Sequence, residues 1–226
     1  GSSLCDKTLK RFLDCRAGRR RVRCKPVRHR QSAAGDGGDS LSPGPNHPAR
    51  APADQPRVLV VPFENERNEP KFHWLSEAAA VLLTDGLRAG GSAAIVRSQR
   101  VRAFEQLYLP VSRSLSRATI IKVGQLVGAT DVVIGTYRVD GTTVSVTARS
   151  IRLDAGRLQP EVTERGELTE LFGIFERLSG RLGRGGRPAG PAAAHPPLDA
   201  FENYIKGLLA TSPVSQASFL EAALRD

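Results

Sequence analysis

The sequence predicts an α/β fold, a mixed sheet with helices packed on it in the order β-α-β-α-α-β-β-β-α, followed by an α-helical, repeat-like hairpin. Three observations carry this expectation. Val58 to Val61 are four consecutive apolar residues with no polar alternation, the pattern of a strand covered on both faces. The segments between Phe72 and Val127 repeat their apolar residues at helical spacing. From Asp131 the period changes to two, with Asp140-Gly141 between two alternating runs, as in a hairpin closed by a type I′ turn.

Taken in order, the first strand runs from Arg57 to Phe63, and Pro62, which lacks a backbone donor, should end its pairing. The next helix, to Ala89, should turn Trp74, Ala78, Val81, Leu82 and Leu87 inward and Glu77, Thr84, Asp85 and Arg88 toward the polar side, with Gly90-Gly91 as its stop. A short strand, Ala93 to Val96, leads to a helix from Gln99 to Leu109 with Val101, Phe104, Leu107 and Tyr108 inward and Pro110 closing it. Ser116 caps another helix through Val127, ended by Gly128. After the hairpin, the more polar stretch from Glu161 to Leu168 is expected at a sheet edge, open to strand addition by another chain. A final helix puts Leu171, Phe172, Phe175, Leu178 and Leu182 on one stripe.

These elements define the expected divisions. Residues 1–56 form a basic and then Pro/Gly-rich head without hydrophobic periodicity, expected to be disordered. Residues 57–182 form the α/β domain, 183–197 a Gly/Pro/Ala linker, and 198–226 a helix pair in which Phe201, Tyr204 and Leu208 pack toward Phe219, Leu220 and Ala223. One such pair cannot bury its own face well, so further pairs are expected to stack on it.

The formal charge of +10 over 226 residues is uneven. Residues 1–50 hold 12 Lys/Arg against 4 Asp/Glu, leaving 21 against 19 in the rest, so the folded part is nearly neutral. The head lacks the aromatic residues that stack on bases, apart from Phe12, so nucleic acid is not an expected partner. Cys5, Cys15, Cys24 and His29 are spaced C-x9-C-x8-C-x4-H, without the short knuckle of a zinc site. No apolar run reaches the roughly 18 residues of a membrane span, and the head has no apolar core of about 7 to 15 residues such as a signal peptide carries. The sequence contains no methionine, position 1 included, so the native start is expected elsewhere.

No catalytic constellation emerges. His73, at a helix start, is expected to top that helix rather than act as a base. Glu64, Glu66 and Glu69 with Asn65 and Asn68 lack the order of a calcium loop. Ser112, Ser114 and Ser116 lack a nucleophile elbow. The Gly/Pro-rich linker is no phosphate loop, since no Lys-Ser/Thr follows and no strand leads into it. Asp85 stands inside an apolar stripe, either as a solvent-side residue or as a polar contact at a binding surface. Together with Tyr204, Leu208 and Phe219 of the helix pair it makes up the candidate partner-binding set. No cofactor, metal or catalytic residue is expected.

RVLVVPFEN, the WLSEAAAVLLTDGL helix, AAIVRSQRV, GQLVGATDVVIGTYRVDGTTVSVTARSIRLDAGRL and ELFGIFERL together resemble the TolB-like amino-terminal domain and the broader FlgO and CsgG group of bacterial envelope proteins. The tail from Leu198 resembles the first unit of a tetratricopeptide array, through Tyr204, Gly207, Leu208, Ala223 and Leu224. The resemblance implies a non-catalytic module of the periplasm or outer membrane that binds other envelope proteins. Domains of this kind also occur fused to nucleotide cyclases and DNA-binding proteins. That gives a second expectation, a cytoplasmic ligand-sensing or signal-relay module, which the missing signal peptide suits.

Overall fold

The computed structural model describes residues 56–110, 115–183 and 195–225. The basic head, with its cysteines and His29, lies outside them, as do Ser112 and Ser114. The strands are β1 (Arg57–Val60), β2 (Glu64–Asn65), β3 (Ala93–Ala94), β4 (Asp131–Asp140), β5 (Thr143–Arg152), β6 (Arg157–Leu158) and β7 (Val162–Glu167). The helices are α1 (Trp74–Ala89), α2 (Arg97–Gln106), α3 (Arg117–Leu126), α4 (Leu171–Leu182), α5 (Leu198–Leu209) and α6 (Pro213–Arg225). The sheet is mixed, as its sequence pattern predicts. β1 runs parallel to β3 on one side and to β4 on the other, and β4, β5 and β7 form an antiparallel meander.

β1 is covered on both faces. Val60 belongs to a large core with α1, α4, α5 and α6, while Leu59 and Val61 belong to a smaller one with Ile95 and with Ala103, Phe104, Ile120 and Val123 of α2 and α3. Pro62 does not simply end the strand. Val60 pairs with Val133, but Glu64 pairs with Thr136, so four steps along the first segment match three along β4. That extra residue is a bulge. It reverses the alternation, and Phe63 therefore turns into the large core with Val60 instead of joining Val61. There its ring lies over Gly135 of β4 and meets Phe175 of α4 edge-on at 6.3 Å.

α1 is buried more completely than one stripe allows, because the sheet, α4 and α5 surround it. Leu75, Ala79, Ala80 and Leu83 are buried along with Trp74, Ala78, Leu82 and Leu87, and so are Glu77 and Thr84, which the sequence placed on the polar side. α2 stops at Gln106, before Pro110 can act. Tyr108 takes φ +54°, and the amides of Tyr108 and Leu109 close back on Glu105 and Phe104 at 3.0 and 2.8 Å, a Schellman ending with tyrosine where glycine is usual. Tyr108 is 95 % exposed, not inward as its spacing suggested. The hairpin turn also sits one residue further on. Asp140 pairs with Thr143, so the loop is Gly141-Thr142, with positive φ at Gly141 alone, which is the type II′ pattern.

The terminal helix pair continues the large core. Phe201 packs against Trp74 of α1 at 6.4 Å and Phe172 of α4 at 5.1 Å, and Tyr204, Ile205, Leu220 and Ala223 extend the same cluster.

The Phe63–Gly135 contact yields a stability prediction. A Cβ on residue 135 would stand 2.3 Å from Phe63 Cε2 and 2.6 Å from the Thr147 carbonyl oxygen. Gly135→Val should therefore cost about 1–3 kcal/mol or more, measured by chemical denaturation. An unchanged denaturation midpoint would show that the bulge does not fix Phe63.

Candidate protein-interaction site

At the edge of the sheet, charged side chains hold the layers together from inside. Glu77 of α1 is 1 % exposed and Arg100 of α2 is 2 % exposed. Glu77 Oε1 accepts a short hydrogen bond from Arg100 Nη2 and another, of 2.6 Å, from Arg97 Nε. Arg100 Nη1 donates to the Val60 carbonyl at 3.0 Å. That carbonyl follows Val58's on the same side of β1, and Val58's takes the Ile95 amide, so Arg100 fills the place where β3 runs out. Arg97 Nη2 donates to the Leu208 carbonyl at 3.0 Å, satisfying an orphan acceptor in the last turn of α5. Burial pushes the Arg100 guanidinium below its ordinary pKa, and the Glu77 carboxylate opposes that shift. Glu77 Oε2 and Arg100 Nε are buried without a hydrogen-bond partner among the described residues. The network supports the surfaces around it and carries no nucleophile.

The two edges of the sheet differ. In β7 the ladder to β5 pairs Val144 with Gly166 and Val146 with Glu164, and the Leu168 amide donates to Thr142. The main chains of Thr163 and Arg165 consequently point outward. Those outward carbonyls are covered: Arg181 Nη1 donates to Thr163 O at 3.2 Å, and Arg177 Nη2 approaches Arg165 O at 3.5 Å. Glu164 holds both arginines, through Arg177 Nε at 3.1 Å and Arg181 Nη1 at 2.9 Å. β7 is an edge strand, as its polar pattern predicted, but it is not the open edge the sequence suggested. At β3, by contrast, an open groove of about 510 Å³ follows the outer side of the strand, lined by Arg57, Arg88, Gln99 and the chain from Gly91 to Val96.

The residues singled out from sequence fall in different environments. Tyr204 is 4 % exposed and part of the internal core, so its ring is occupied within the chain. Leu208 packs partly buried on that core, and its carbonyl serves Arg97. Phe219 and Asp85 are half-buried, and Asp85 has an interaction within the described residues. On α6, Val214 and Leu224 are 81 % and 39 % exposed. Glu77, Arg97 and Arg100 were missed. The available signal was the position of Glu77 within the apolar run from Trp74 to Leu83, with two arginines three residues apart on the next helix. His73 precedes α1 and meets Asn68 Oδ1 at 3.2 Å. Among the described residues no cluster of His, Cys, Asp or Glu could hold a metal, and no helix is long and apolar enough to cross a membrane.

The class defined by these features is a mixed-sheet α/β domain extended by a helical hairpin. No family model matches the chain, and no curated protein matches it. Among solved structures it is similar to the lipoprotein GNA1162 from Neisseria meningitidis, at 19 % identity over 56 % of this chain and 96 % of that one, with a TM-score of 0.43. It is similar also to the C-terminal domain of LpoB from Salmonella enterica (17 % identity, 50 % and 82 % covered, TM-score 0.38). TolB from Acinetobacter baumannii matches at 14 % identity over 58 % of this chain and 28 % of its own, with a TM-score of 0.36. At such distances the likenesses assign no partner.

Two predictions follow from the charged groups. Glu77→Ala strands two arginines, one fully buried, and should cost about 3–5 kcal/mol in denaturant unfolding. The double change Glu77→Leu with Arg100→Met should cost less than that single one, and a double variant as unstable as the single would contradict the charge argument. For Glu164, burial acts to raise the carboxyl pKa, but hydrogen bonds and charge from Arg181 and Arg177 outweigh it and the pKa is lowered. A lowered pKa means stabilisation present above the ordinary carboxylate range and lost as pH falls through the depressed value. Glu164→Gln should flatten the acid side of the stability–pH profile and leave the alkaline side unchanged.

Proposed function

We propose that the chain is a non-catalytic protein-binding module of the bacterial cell envelope. The α/β unit is the platform, and the α5–α6 pair is the start of a docking scaffold of the tetratricopeptide type. The observation that carries this reading is the way the pair is mounted. Its inner face shares a core with Trp74 and Phe172, and Arg97 fastens the end of α5, while α6 turns Val214 and Leu224 outward. A helix so supported offers a partner two exposed apolar side chains on a surface whose ordering cost has already been met by folding. The envelope location rests on the resemblance to the TolB-like, FlgO and CsgG group.

The test places a photocrosslinking residue at Val214 and, separately, at Leu224 of the full-length native protein in living cells. Both positions should yield an adduct with one discrete protein in the envelope fraction, and the exposed Arg157 should not. Recovery of the protein in the cytosol, or no adduct from either position, would count against the reading.

A further inference from the structure

The groove beside β3 has the features of a strand-addition site. The Ile95 amide donates to Val58 at 2.8 Å, so the main chains of its neighbours, Ala94 and Val96, face away from β1. The Ala94 amide is taken by the Ser92 carbonyl at 2.9 Å. What remains toward the groove is the Ala94 carbonyl and the Val96 amide, neither with a partner among the hydrogen bonds of the described residues. An acceptor and a donor two residues apart are what an edge offers an incoming strand. Val96 is extended, at φ −67° and ψ 153°, and as the N-cap of α2 it supplies no side-chain cap.

The charge of the groove indicates what fits it. Arg57 and Arg88 line it, no carboxylate does, and neither arginine has an ion-pair partner among the described residues. A second copy of this chain would set two such arginine pairs against each other, which is repulsive. The opposite edge makes the contrast. At β7 the outward carbonyls of Thr163 and Arg165 are covered by side chains anchored on Glu164, whereas among the described residues no side chain bonds the Ala94 carbonyl or the Val96 amide.

We infer that β3 accepts an extended acidic segment of a partner protein as an added strand. Its main chain pairs with Ala94 and Val96, and its carboxylates lie between Arg57 and Arg88. The inference goes beyond the α6 surface and does not depend on the envelope location.

Val96→Pro provides a clean test. Proline fixes φ near −65°, which Val96 already has, and it removes an amide that has no partner among the described residues. The full chain is panned against a random-peptide display library, and the consensus peptide is synthesised and titrated. Enrichment of acidic residues alternating with β-branched ones is expected. Affinity should fall about tenfold or more both in Val96→Pro and in Arg57→Ala with Arg88→Ala. The arginine effect should shrink with added salt while the proline effect remains. Thermal melting of each variant checks that the fold is kept. Three results would overturn the inference: no acidic enrichment, a consensus peptide that binds Val96→Pro as well as the wild type, or a concentration-dependent dimer dissociated by Val96→Pro, which would assign the edge to a second copy. Because this test is made in solution and the α6 crosslink in cells, either can fail alone.

Discussion

The buried carboxylate of Glu77 is the constraint on which the arrangement of the layers depends. It lies on a helix of the large core and holds two arginines from the helix that serves the small core. Those arginines in turn satisfy carbonyls that secondary structure leaves over, one on β1 past the end of β3 and one in the last turn of α5. One acidic side chain thereby connects four elements around the edge of the sheet. Apolar residues of similar volume could fill the space, but they could not meet those carbonyls, and a buried acceptor without a donor is costly. The network specifies where the helices sit as well as how firmly they are held.

The sheet treats its two ends unequally. Unpaired strand edges invite unwanted association, and side chains that fold over outward carbonyls are one way to discourage it. At β7 that role falls to two arginines, which would repel each other without Glu164 between them. At β3 the strand is only two residues long, and shortness is itself a protection against indiscriminate pairing. A site there gains selectivity from what surrounds the short stretch of main chain more than from the number of backbone bonds.

Most of the fold was legible in the sequence. The unalternating run at Val58 to Val61 marks a strand with a layer on each face, and the change of period at Asp131 marks the meander. Boundaries were less legible where two local signals compete. Pro62 reads as a stop but lies in a bulge, and Pro110 reads as a helix end although α2 has already closed through a left-handed Tyr108. The position of the hairpin turn depends on which residue of Asp-Gly-Thr enters the loop, and cross-strand register decides that. The charged network was hidden for a different reason. Helical spacing places Glu77 beside Asp85 and Arg88 in a polar class, yet only the approach of α2 turns one of these positions into a buried site. Tyr204, expected both to pack within the helix pair and to meet a partner, is held in the core.

The bulge between Val60 and Glu64 bears on how this chain should be compared with others. One additional residue there decides which core receives the aromatic at position 63. A relative with one residue fewer in that stretch would present its equivalent side chain to α2 and α3, leaving the space above Gly135 to be filled from elsewhere. An alignment that slides a gap through this segment to gain an identity would superimpose residues from opposite layers of the molecule. The length of that loop should therefore be read together with the residue facing position 135.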